Sequence, residues 1–482
     1  MRKKTLFVVS ISLGALLAQN PPQAPPSFKG VVRKNRAPVS NDVLRVKFPK
    51  PVESRLHNGM SLLALEDHRS PTVQLEIAMP ASTLNDPRDL AGIGDATASL
   101  LRLGTKTRTS VQIADTLQEL GASLNASAGD RYAYFRVSTL SENLDAVLAL
   151  LADVMFNPSF PQDELDKWKN RQLSSLQQIR TQPGFLGQER FFAVLYPHDN
   201  RSIVAPTPES INRITRDRIV EYYSQNFRPE GGRVAVAGDI APKAIADKLD
   251  AILGNWKGAA PKPPELALPG AIGDKKIYLI HRPNSVQTNL YIGNLALGRL
   301  DPDYIPAMVM NQVLGSGPAS RLFRNIREDK GYTYGISSGF GATHYINYFV
   351  VSTSVRTDVT GPAMEEIFKE LVDIRDRPVP SDELDGAKRA LVANFALSTE
   401  SPATALRNAT MIKEYGFPPD YWDVYPEAIA KVTAADVQRL ARKYIPVDNS
   451  QIVAIGDASK IRDVLAKFGP VEEWDAEGHL VK

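Results

Sequence analysis

The 482 residues contain no cysteine, carry a formal net charge of +3 and are 43% apolar. A chain of this length is sufficient for two to four domains, and its apolar content permits large cores. The lack of cysteine excludes disulfides, thiolate metal sites and cysteine nucleophiles.

The N-terminus predicts an export signal. Arg2, Lys3 and Lys4 precede an apolar run from Leu6 to Ala18, which is the order of basic and hydrophobic regions in secretory signals. As a helix the run would reach about 20 Å, short of a hydrocarbon core of about 30 Å. We therefore expect a signal peptide over residues 1–18 and a secreted or periplasmic protein. Removal of this segment takes away three positive charges and lowers the formal net charge from +3 to 0. The basic charge that would favour a nucleic-acid partner is therefore lost.

The elements that follow can be predicted in chain order. Residues 19–43 are proline-rich and favour an extended, disordered leader. The Asn58-Gly59 pair predicts a hairpin turn, and the alternation of Val73, Leu75 and Ile77 predicts a half-buried strand. Helices are predicted over residues 89–103, 111–120, 144–154, 161–179 and 215–227. Two more strands are predicted over residues 133–139 and 233–237.

The sequence then repeats at an offset of 214 to 219 residues. The matching pairs are Tyr134–Thr139 with Tyr348–Thr353, Asp163–Asp166 with Asp382–Asp385, Ile214-Thr215 with Val432-Thr433, and Gly238-Asp239 with Gly456-Asp457. This order predicts an α+β fold of two homologous domains, each a mixed, largely antiparallel sheet with packed helices. We place the first domain at 44–257, a Pro/Ala-rich linker at 258–272, the second domain at 273–470 and a C-terminal tail at 471–482.

One stretch of the second domain combines a helix, a turn and a strand. Leu322, Phe323 and Ile326 have helical spacing, Gly331 stands where a helix commonly ends in a positive φ, and an extended segment begins near Tyr334. Arg327 and Tyr334 thus lie seven residues apart across the turn. On spacing alone they could be a solvated arginine and a core tyrosine.

This stretch resembles the second-half motif of the insulinase/pitrilysin-type zinc peptidases, the inverzincins. The resemblance implies that Arg327 and Tyr334, in an Arg-x3-Gly-x2-Tyr pattern, hold the backbone of a peptide substrate. A guanidinium and a phenol can both donate hydrogen bonds to peptide carbonyls. It also implies paired α+β domains that form half of a clamshell around a cavity.

The catalytic motif of that family is missing. The family carries His-x-x-Glu-His on a first-domain helix, where two histidines bind zinc and the glutamate activates water. By position, Asp95, Ala98 and Ser99 replace these three residues. The six histidines include no pair four residues apart, since the closest two are eleven apart. We expect no metal in this chain, although a zinc site built from distant residues stays open.

Three functions compete. The first is a non-catalytic, substrate-binding subunit of a heterodimeric zinc metallopeptidase, whose homologous partner brings the zinc. The second is a peptide-binding or assembly protein without a protease partner. The third is a self-sufficient metallopeptidase with an unrecognised site. An adjacent gene for a His-x-x-Glu-His homologue would favour the first over the second, and stoichiometric zinc in the isolated chain would favour the third.

Overall fold

The computed structural model describes residues 48–267, 269–270, 272–345 and 347–481. The predicted signal peptide and leader lie outside these residues. Alternation, turn residues and helical periodicity place the regular elements of the first half close to where the sequence predicts them. Its strands are β1 (Val52–Arg55), β2 (Ser61–Glu66), β3 (Thr72–Met79), β4 (Ser123–Ala128), β5 (Ala133–Leu140) and β6 (Arg233–Gly238). Its α-helices are α1 (Ile93–Leu101), α2 (Ser110–Glu119), α3 (Leu144–Phe156), α4 (Gln162–Arg180), α5 (Pro183–Leu195), α6 (Pro208–Arg213), α7 (Arg216–Asn226) and α8 (Pro242–Leu253).

The second half repeats this order of elements, except that its outer edge strand comes at its end and not at its start. Its strands are β7 (Lys276–His281), β8 (Gln287–Ala296), β9 (Thr333–Phe340), β10 (Asn347–Arg356), β11 (Gln451–Gly456) and β12 (Val471–Trp474). Its α-helices are α9 (Tyr304–Leu314), α10 (Thr360–Asp376), α11 (Ser381–Ser398), α12 (Pro402–Tyr415), α13 (Tyr421–Lys431), α14 (Ala434–Tyr444) and α15 (Ala458–Leu465), and a π-helix spans Phe323–Asp329.

Each half is built on a six-stranded mixed sheet. The strand orders are β1-β2-β6-β3-β5-β4 and β12-β7-β11-β8-β10-β9. Within these sheets the pairings are antiparallel except β2 with β6, β7 with β11, and β7 with β12. The predicted repeat is confirmed, because β5 and β10 occupy equivalent places in the two sheets.

The local signals that predicted the first sheet also explain it. Gly59 has φ +88 in the turn that joins β1 to β2. In β3, Val73, Leu75 and Ile77 are buried at 3% exposure or less, because alternate side chains of a strand share one face. That face packs against α1 and α3 in one apolar core, and the second sheet has an equivalent core.

A helix from the first half covers the second sheet. α5 packs across β8 and β11, and its Phe191 is 1% exposed in an apolar cluster with Val453 and Ile455. Gly187 makes this close approach possible, since a Cβ there would lie 2.3 Å from a ring carbon of Tyr291.

The exchange is reciprocal. α12 from the second half packs across β2 and β6 of the first sheet, with Leu406 against Leu63, Ala235 and Ala237. Each half therefore completes the other half's apolar surface, and the two sheets depend on one another for their burial.

The structure describes most of the predicted linker and of the predicted C-terminal tail. Residues 471–474, placed in a C-terminal tail, instead form β12, which pairs in parallel with β7 at the edge of the second sheet. The described positions of residues 258–272 have neither helix nor strand. No helix in the described part of the chain is long and apolar enough to cross a bilayer.

Candidate functional site

The segment around Arg327 is helical, as predicted, but its turns are wider than those of an α-helix. Residues 323–329 form a π-helix, in which the Lys330 amide donates to the Asn325 carbonyl at 3.0 Å. Leu322 and Ile326 are fully buried and Phe323 packs at the edge of the same core. π-Helical turns are rare and frequently lie at functional sites.

Two polar clamps hold this π-helix on its neighbours. The Arg321 guanidinium donates to Glu383 at 2.7 and 2.9 Å and to Asp373 at 3.0 Å. One turn later, the Asn325 amide donates to Glu366 at 2.9 Å and to Glu370 at 2.7 Å. These contacts tie the segment to α10 and α11, so its outer face has a fixed orientation.

The turn and the following strand place Tyr334 beside Arg327. Gly331 ends the helix with φ +64, a conformation that favours glycine. In β9, residues 334 and 335 together face Ser354 of β10, because the register shifts between Thr353 and Val355. This β-bulge turns Tyr334 away from the buried face, and bulges often re-aim a side chain in this way.

The structure brings Arg327 and Tyr334 together on the surface. The Arg327 guanidinium carbon lies 5.7 Å from the centre of the Tyr334 ring and 4.7 Å from that of Phe323. Tyr334 is 92% exposed, so its interpretation as a core tyrosine is wrong. The ion pair of Arg327 with Glu328, at 3.9 Å, is long. The guanidinium therefore has two ring contacts and no short polar partner among the described residues, and the phenol is exposed.

The helix of the degenerate zinc motif, α1, begins with a buried acidic cap. Asp86 accepts hydrogen bonds from the Gly92 and Gly94 amides at 3.3 and 3.2 Å and from the Tyr222 hydroxyl at 2.9 Å. Burial raises the pKa of Asp86 to about 6, while these donors oppose the rise. This residue was missed in the sequence, where it carries no local signal beyond a carboxylate before a helix.

The three motif positions on α1 have no metal-ligand geometry. Ala98 is 1% exposed in the core, and Asp95 and Ser99 are half-buried. Burial raises the pKa of Asp95, and no basic group offsets it. Among the described residues, no cluster of three histidine, aspartate or glutamate side chains could hold a metal ion.

Several histidines have local structural partners instead. The His281 ring accepts from the Ala458 amide at the start of α15, 3.1 Å away, and His57 pairs with Asp250 at 3.0 Å. His281 therefore accepts at the start of a helix and His57 pairs at the surface.

We expect the purified chain to bind no stoichiometric zinc. The physical reason is the absence of two imidazoles on one face of α1, where Ala98 and Ser99 offer no strong ligand. Metal analysis after dialysis without chelator checks this. One zinc per chain, together with chelator-sensitive peptide cleavage, would contradict it.

Two family models match most of the described chain. The model described as insulinase, peptidase family M16, matches residues 62–199, and the model described as the peptidase M16 inactive domain matches residues 213–391. The first covers α1 and the second covers the π-helix and β9.

Similar proteins include YmxG of Bacillus subtilis, described as an uncharacterized zinc protease, which is 23% identical over 71% of this chain and 83% of the relative. A Helicobacter pylori protein described as a non-peptidase homolog, also called YmxG, is 23% identical over 82% of this chain and 91% of its own length.

Solved structures share the fold. A peptidase M16 inactive domain from Pseudomonas fluorescens superposes with a TM-score of 0.77 at 24% identity and covers 84% of this chain and 98% of its own. A protease from Helicobacter pylori also reaches 0.77, at 18% identity, and covers 84% and 99% of the two chains.

Proposed function

Because the chain belongs to peptidase family M16, the insulinase family, we propose that it is the non-catalytic, substrate-binding subunit of a two-chain zinc peptidase. One observation carries the proposal. Arg327 and Tyr334 are held together on an exposed surface, whereas α1 carries Asp95, Ala98 and Ser99 in place of zinc ligands and a general base.

The division of work follows from these two sites. The partner would be a homologous chain with the intact zinc motif, and it would supply the metal and the activated water. This chain would close the other side of the clamshell cavity and hold the peptide by hydrogen bonds from Arg327 and Tyr334 to its carbonyls. The basic and apolar N-terminal segment supports a secreted or periplasmic location for the pair.

Association with the zinc-bearing homologue is the direct test. Co-expression should give a heterodimer that elutes as one species in size-exclusion chromatography, with an interface of about 2,000 Å² or more. The physical reason is that neither chain holds a complete site alone. The Arg327→Ala variant should form the same heterodimer, since its loss affects substrate contact and not the interface.

Two homologues that elute separately at micromolar concentration would count against the proposal. If the chain then still bound peptides, it would be a peptide-binding protein without a protease partner. The Helicobacter pylori relative is described as a non-peptidase homolog, and we therefore keep peptide binding without a protease partner as the second candidate function.

A further inference from the structure

A cavity of about 460 Å³ lies between the two halves, and its lining includes neither Arg327 nor Tyr334. Its walls come from the segment between β3 and α1, the turn between β4 and β5, α5 with the segment that follows it, and the β9–β10 loop with the start of β10. Ligand pockets are common at interfaces between domains, and the volume of this cavity falls in their usual range of about 300–1,000 Å³.

One wall of the cavity is aromatic. Its aromatic lining residues are Phe192 and Tyr196 near the end of α5 and Tyr345 and Tyr348 of the second half. The rings of Phe192 and Tyr348 have centres 5.1 Å apart, and those of Phe192 and Tyr196 lie 6.1 Å apart. The faces of such rings attract cations.

The lining also includes Asp130, a carboxylate with no basic partner among the described residues. The backbone carbonyl of Asp130 accepts a hydrogen bond from the Ser82 hydroxyl. Asp130 lines the cavity and is exposed to solvent, and its carboxylate makes no ion pair or hydrogen bond within the described chain. Burial by the surrounding walls raises the pKa of Asp130, and no neighbouring cation opposes the rise. Burial is the main reason that the pKa of Tyr345 is raised, and Arg131, Asp130 and Arg201 all act on it electrostatically.

The nearby charged groups are already engaged. Arg201 is bound by Asp199 at 2.9 Å and lies over the Tyr196 ring. Arg131, next to Asp130 in the chain, contacts the carboxylate of Glu414 at 3.5 Å. The carboxylate of Asp86 caps α1. Asp130 is therefore the lining carboxylate whose charge is not balanced within the described part of the chain.

We propose that this cavity binds the protonated side chain of an arginine or lysine, with Asp130 as its counter-ion and Tyr345 and Tyr348 as its aromatic wall. The inference rests on the proposed function, because a bound peptide is the natural source of such a side chain. It adds a preference for basic peptides at a cavity whose lining does not include Arg327 or Tyr334.

The test uses a charged probe and its neutral isostere on the isolated full chain. Isothermal titration with N-acetyl-arginine methylamide and N-acetyl-citrulline methylamide should give about tenfold or more tighter binding of the arginine probe, as one charged hydrogen bond provides. Asp130→Asn should abolish this preference. Asp115→Asn, which removes the same charge from an exposed position on α2, should retain it.

A second pair of variants tests the aromatic wall. Tyr345→Phe keeps a ring face and should retain the preference, whereas Tyr345→Leu should reduce it severalfold. Equal affinity of the wild type for both probes, no saturable binding of the arginine probe, or an unchanged preference in Asp130→Asn would each overturn the inference. The proposed function is tested separately, by association with the zinc-bearing homologue and by Arg327→Ala. A negative result in the probe titration would therefore overturn the arginine site and leave the proposed function intact.

Discussion

Replacing Arg327 by alanine is expected to lower the catalytic efficiency of the two-chain complex by about ten- to a hundredfold. A charged hydrogen bond contributes about 1.5–3 kcal/mol, and about 1.4 kcal/mol is a factor of ten in rate. Arg327 is oriented by Phe323 and Tyr334, so its donors are positioned before the substrate arrives and the loss should appear in substrate positioning. Steady-state kinetics on the reconstituted heterodimer with a peptide substrate measures the effect.

The matched variants separate this role from a general effect of charge. Tyr334→Phe removes only a hydroxyl and should cost about two- to tenfold. Arg324→Ala removes an exposed arginine of the same helix whose contact with Glu383, at 3.4 Å, is weak, and should change little. Since the guanidinium lies over the Tyr334 ring, the Arg327→Ala and Tyr334→Ala effects should not be additive. Wild-type efficiency in both Arg327→Ala and Tyr334→Phe would remove the substrate role.

The second large effect concerns stability. Arg321→Ala should lower the free energy of unfolding by about 3 kcal/mol, because it leaves the carboxylates of Asp373 and Glu383 without their buried partner. Breaking a buried ion pair costs about 3–5 kcal/mol, and the lower figure applies since the Asp373 side chain is 29% exposed and keeps its ion pair with Arg377 at 2.9 Å. Urea unfolding, compared at equal slope, measures the difference.

Arg324→Ala is again the control, since it loses a contact with the same Glu383 from an exposed position. Its expected cost is below about 1 kcal/mol, as for other surface pairs. An Arg321→Ala variant as stable as Arg324→Ala would mean that the clamp does not hold the π-helix, and the orientation of Arg327 would then need another cause.

The elements that the sequence predicted are those with a local signal. The alternation in β3 and the Asn58-Gly59 turn were both readable, because each follows from the neighbouring few residues. The repeat was readable as well, since homologous halves keep short segments such as those in β5 and β10. The positive φ of Gly331 follows from the same kind of local rule.

The remaining features depend on contacts between distant parts of the chain. The exchange of α5 and α12 between the sheets is decided by which apolar faces meet, for example Phe191 against the second sheet. The π-helical turns depend on partners of Arg321 and Asn325 that lie on α10 and α11.

The exposure of Tyr334 has the same origin. Strict alternation would place Tyr334 on the same face of β9 as the buried Ile336, and the bulge opposite Ser354 reverses it. Local sequence contains no clear sign of that bulge, because it is set by the register with β10.

The central claim is that this chain contributes substrate contacts but no metal to a two-chain peptidase. The most direct measurement is peptide hydrolysis by the zinc-bearing homologue with and without equimolar amounts of this chain, with zinc counted in each purified protein. We expect hydrolysis to depend on the mixture, zinc to be found only in the homologue, and Arg327→Ala to reduce the gain. Full activity of the homologue alone, or zinc-dependent hydrolysis by this chain alone, would contradict the claim.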